Sequence, residues 1–103
     1  MLLTTFVAVA LAAAQTTTHS YDYCAVLSLI AEKTMEQRQN GVSMAHQLDT
    51  LTGYSPNVQE TAKTLILDAY SVQKFETDAS KRAAVLTFGQ QTMSSCYQVK
   101  VIT

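Results

Sequence analysis

The amino-acid sequence predicts an all-α fold, a small four-helix array whose first and last helices are joined by a disulfide. Three observations predict it. Apolar residues recur at helical spacing, first at Cys24, Leu27, Ala31 and Met35. Helix-stopping and helix-starting residues, Asn40-Gly41, Gly53, Ser55-Pro56 and Thr77, divide the chain into four such stretches. The two cysteines, Cys24 and Cys96, stand at the start of the first stretch and the end of the last.

The first helix is expected from about Tyr21 to Gln39, with Val26 and Ile30 widening its apolar stripe and Arg38 continuing it. Asn40-Gly41 ends it, because glycine tolerates the left-handed conformation of a helix C-terminus. Ser43 is a natural N-cap for a short second helix through about Thr52, with Met44, Leu48 and Leu51 on one side and Gly53 as its stop. The clearest start follows: Ser55 caps and Pro56 takes the first helical position, where its missing N–H is no loss. This third helix should reach about Gln73 and bury Val58, Ala62, Leu65, Ile66, Ala69 and Val72. Thr77 caps the fourth, with Asp78 at the positive end of the helix dipole. Its buried face is read as Val85, Leu86, Gly89, Thr92, Met93 and Cys96, its end as about Tyr97, and residues 98–103 as a flexible tail. Gly89 within that face is expected where another helix comes close.

Residues 1–14 form an apolar run without a charged side chain, closing on Ala12-Ala13-Ala14, and are read as a secretory signal peptide. The run is too short for a membrane span, which needs roughly 20 apolar residues. Residues 15–103 are then a single helical domain with a polar lead-in over 15–20, in the periplasm or secreted. In an oxidising compartment Cys24 and Cys96 have one possible pairing, and closing a loop of roughly 70 residues stabilises by about 4 kcal/mol in the simple chain-entropy picture. Neither a C-x-x-C motif nor a basic neighbour marks them as a redox pair. Asp22-Tyr23 before Cys24 does not suit lipid attachment.

The formal net charge is −1, from seven basic and eight acidic residues without a basic patch, which argues against nucleic-acid binding. Nucleophile-elbow, zinc-protease, phosphate-loop and calcium-loop motifs are absent from the sequence. His46 and Asp49 lie one helical turn apart and are the only defensible acid–base pair, half of a catalytic or metal site at most. His19, the other histidine, precedes the fold. No enzyme activity, metal or cofactor is therefore expected, and the reading is a non-catalytic binding or interaction module with a protein partner. Its contact surface is placed at Arg38, Met44, His46 and Tyr54, where two glycine stops interrupt the helices. For Arg38 itself the first reading is structural, compensating the dipole and bonding the last carbonyls of its helix, with anion binding or partner contact as the alternative.

The run from Cys24 to Met44, with Arg38 and Gly41, the pair Ala69-Tyr70, and the closing Ala84, Phe88 and Cys96-Tyr97 resembles small exported all-helical proteins of proteobacteria and their prophages that carry one cysteine pair. The resemblance implies export and a helical bundle, and brings no catalytic residues with it. In plan the chain is also similar to the acid-activated periplasmic chaperones, small helical proteins held by one disulfide. That likeness implies an acid-stress function as the alternative, with His46 and Asp49 in a small enzyme as the lesser one.

Overall fold

A computed structural model describes residues 23–102. The signal segment 1–14, the lead-in 15–20 with His19, and the expected helix start at Tyr21 lie outside the described residues. Among the described residues there are four α-helices and no strand. They are α1 over residues 23–39, α2 Met44–Asp49 continued by the 3-10 turn Thr50–Gly53, α3 Pro56–Tyr70, and α4 Asp78–Ile102. α2 returns alongside α1, donating from Gln47 to the Thr34 carbonyl. α3 then runs in the same direction as α1, bringing its C-terminal end to Arg38 and Gln39, and α4 returns antiparallel until Cys96 reaches Cys24. The predicted disulfide is formed, with a Cα–Cα distance of 5.7 Å.

Each stop has a local cause. Gly41 has φ +86°, its N–H bonds the Arg38 carbonyl at 3.1 Å and the Val42 N–H bonds Gln37 at 3.0 Å, which together close α1 in a Schellman motif. Ser43 accepts from the His46 N–H at 3.1 Å and Thr77 from the Ser80 N–H at 3.1 Å, the expected caps of α2 and α4. Ser55 occupies the N-cap position of α3 without a side-chain cap bond; Pro56 and the Ser55 carbonyl, which accepts from Gln59 at 2.9 Å, start that helix.

Two helix ends differ from expectation. α3 stops at Tyr70 and not Gln73: the Ser71 and Val72 N–H groups tighten onto the Asp68 and Ala69 carbonyls in a final i to i−3 turn, and the carbonyls beyond it, of Val72 and Gln73, accept from Arg38 and Gln39 of α1. α4 continues through residues 98–102, where the sequence reading placed a tail after Tyr97. Val99-Lys-Val-Ile102 contains no glycine or proline, and the β-branched residues lower helix propensity by well under 1 kcal/mol each, too little to end a helix.

The core is thin and made partly of alanine: Ala31, Met35, Leu65, Ala69 and Phe88 are buried together, with Leu27 and Val85 packed on them. Small residues let the helices approach closely, and α1 and α4 form the most extensive helix pair. At their crossing the Ser28 hydroxyl donates to the Gly89 carbonyl at 2.9 Å, and a Cβ at Gly89 would stand 2.5 Å from Cγ of Glu32. This is the close approach expected at Gly89. It also rotates both helices relative to the sequence reading. Phe88, not Leu86, enters the core, leaving Leu86 50% exposed. On α1 the buried stripe widens toward Ser28, Thr34 and Gln39, and Val26 and Ile30 are left exposed, as is Val58 on α3.

Gly89→Ala alone should lower stability by about 1–3 kcal/mol through overpacking against Glu32, read from urea unfolding. In a Glu32→Ala background the same change should be neutral or stabilise by up to about 1 kcal/mol, the helix-propensity gain of alanine over glycine. Equal effects in both backgrounds would contradict the packing at this crossing.

Candidate functional site

The four residues read as a contact surface differ in their surroundings. Arg38 is half-buried, with its Nε donating to the Val72 carbonyl at 3.1 Å and its guanidinium 5.0 Å from the centre of the Tyr70 ring. The carbonyl it bonds belongs to the connector that follows α3, not to its own helix. Met44 is half-buried on α2. Tyr54 is exposed beside a shallow cleft of about 320 Å³ that it shares with Ile30, Leu51 and Val58; Arg38, Met44 and His46 do not line it. His46 and Asp49 are both exposed, and among the described residues neither side chain takes part in a hydrogen bond or ion pair. Among the described residues no group of three or more histidine, cysteine or acidic side chains is placed to hold a metal ion.

Two buried glutamines, absent from the sequence reading, organise the interior. Gln39, 1% exposed, donates from Nε2 to the Gln73 carbonyl at 2.9 Å and accepts the Phe75 N–H on Oε1 at 2.8 Å. It thereby holds both ends of the turn that leads into α4. Gln47 donates to the Thr34 carbonyl at 3.2 Å and to the Tyr70 hydroxyl at 2.8 Å, and that hydroxyl donates to the Val42 carbonyl. This chain ties α2 to α1 and α3. A buried polar group is tolerated when its hydrogen bonds are made, and both carboxamides meet that condition. The sequence signal for them was weak: Gln39 follows Met35 by one turn, which puts it on the apolar stripe of α1, but at a helix end where a polar residue reads as solvated.

Helices α3 and α4 both reach the shared core, with Leu65 and Ala69 from α3 and Phe88 from α4. Between them runs an open groove of about 600 Å³. Its floor is apolar, built from Leu27, Leu65, Val72 and Phe88, and its walls carry short polar side chains, Thr61 and Thr64 on α3 and Thr92 and Ser95 on α4. A second hollow of about 380 Å³ continues it along the first half of α4, sharing Val72, Phe88 and Gln91 as lining. The volume is in the range of binding pockets, and no side chain inside it is arranged as nucleophile and base.

Comparison of the chain with protein-family models, with curated proteins and with solved structures finds no match.

Gln39→Leu should lower unfolding free energy by about 1–3 kcal/mol, because it leaves the Gln73 carbonyl and the Phe75 N–H without their partner in a part-buried turn. The exposed His46→Ala should change it by less than about 0.5 kcal/mol. Urea unfolding of the two variants beside the parent protein checks both values.

Proposed function

We propose that the chain is an exported, non-catalytic helical binding module and that the groove between α3 and α4 is its contact surface. The observation that carries this reading is the apolar floor of that groove, open to solvent in a domain whose core is otherwise small. A contiguous apolar hollow rimmed by polar side chains is what a recognition surface requires, and a solvated monomer gains nothing from keeping one. The groove replaces the Arg38 to Tyr54 region as the proposed surface, because Arg38 is engaged internally with Val72 and Tyr70.

Export is supported by the apolar run over residues 1–14 and by the Cys24–Cys96 disulfide, a bond compatible with an oxidising compartment. No helix among the described residues is long and apolar enough to cross a membrane. The periplasm of a proteobacterium is the setting we assign, on the likeness of the Cys24 to Met44 run to small exported proteins of that group.

Thr64 is exposed on the groove wall, so Thr64→Trp fills the groove without touching the core. Cross-linking in the exported fraction should give a discrete adduct with the parent protein and none with Thr64→Trp, at unchanged helicity by circular dichroism. Recovery of the parent protein alone, or an adduct that survives Thr64→Trp, would overturn the groove as contact surface.

A further inference from the structure

We infer that the occupant of the α3–α4 groove is a basic amphipathic helix of a protein partner, an inference that rests on reading the groove as a contact surface. Three features of its walls lead there. The first is length. From Ser80 to Ser95 the α4 wall extends roughly 22 Å at 1.5 Å per residue, and from Thr61 to Asp68 the α3 wall roughly 10 Å, with Ser71 and Val72 carrying it past the helix end, enough for two to three turns of a helix lying between them.

The second is the kind of surface offered. Ser80, Ala84, Thr87, Gln91 and Ser95 recur at intervals of three and four residues along α4 and line the groove and its continuation. They form a continuous ridge of short side chains of the sort that admits a second helix at close range. No charged residue occurs in α4 from Ala83 to Gln98. A long solvated helix ordinarily carries charges on its outer face, so this stretch suits cover by another chain. An extended peptide is a poor occupant: both walls are helices whose backbone groups are already paired, so its own N–H and C=O groups would be desolvated without partners. A helix satisfies its own backbone.

The third feature is charge. Glu60, Thr64 and Asp68 stand at i, i+4 and i+8 along α3; Thr64 and Asp68 line the groove, and Glu60 stands two turns before Asp68, about 12 Å along the helix. Glu60 and Asp68 are both exposed, and neither carboxylate is in an ion pair; the ion pair present among the described residues is Lys33–Glu36 on α1. No cation lines the groove or its continuation. The complementary helix sets an apolar seam on Leu27, Leu65 and Phe88 and carries lysine or arginine two turns apart toward Glu60 and Asp68.

The test uses the oxidised protein lacking residues 1–14 and a fluorescein-labelled helical probe peptide of about 15 residues, with a leucine seam flanked by lysines two turns apart. A matched peptide has glutamate for lysine. Fluorescence anisotropy should show the lysine peptide binding and the glutamate peptide at least about tenfold weaker. Glu60→Gln and Asp68→Asn should each weaken the lysine peptide by about two- to fivefold at low salt, with the difference shrinking at high salt, and Thr64→Trp should abolish binding. Equal binding of both peptides, no binding, or indifference to Thr64→Trp overturns the inference. So does concentration-dependent dimerisation that Thr64→Trp abolishes, which makes a second copy the occupant. A cross-linked adduct lost in Thr64→Trp, with no peptide binding, overturns the basic helix while leaving the groove as contact surface.

Discussion

The position of α4 against α1 is held at both ends by specific bonds, and the rest of the structure depends on that placement. At one end Cys24 and Cys96 are covalently joined; at the other Gln39 fixes the turn that delivers the chain into α4. Between them Gly89 lets the helices approach until Ser28 reaches a backbone carbonyl of α4. A core of two alanines, a methionine, a leucine and a phenylalanine is small for a domain of this length, and below about 80 residues an apolar core alone rarely gives ample stability. The bonds at the two ends make up the difference. The groove lies beside this pairing, lined by residues of α1, α3 and α4.

Polar groups in the interior follow the same logic. Ser28, Thr34, Gln39 and Gln47 are all buried, and each donates to a backbone carbonyl. Gln39 and Gln47 go further and join segments distant in sequence, spanning connections that apolar contacts are too few to determine. Apolar packing is tolerant of small slides between helices; a carboxamide bonded to two separate segments is not. The array is thus specified as much by directional bonds as by burial, which fits its short α2 and its broken return through Thr50–Gly53.

Much of this was legible in the sequence, and the boundary of what was legible has physical reasons. Helix punctuation was readable because Gly41, Ser43, Pro56 and Thr77 act through their own backbone or the next turn. The disulfide was readable because two cysteines in one chain allow one pairing. Which flank of each helix turns inward was not. Ser28 and Gln39 follow Cys24 and Met35 by one helical turn, yet their polarity hid them while hydrophobicity favoured Val26 and Ile30; the choice was made by the α1–α4 crossing, a tertiary fact. Arg38 was read as bonding the last carbonyls of its own helix; the carbonyl it bonds, that of Val72, is brought to it by the chain leaving α3. The groove escaped notice for the same reason, since its floor and walls come from three separate helices.

Amide hydrogen exchange along α4, in the oxidised protein and in Cys96→Ser, tests most directly whether two separate tethers hold that helix. If they do, loss of the disulfide removes protection from Gly89 toward Ile102 and leaves the stretch from Asp78 to Phe88 protected by the Gln39 turn and the Phe88 core contact. Uniform deprotection of the whole helix, or no change at all, would contradict the two-ended placement of α4.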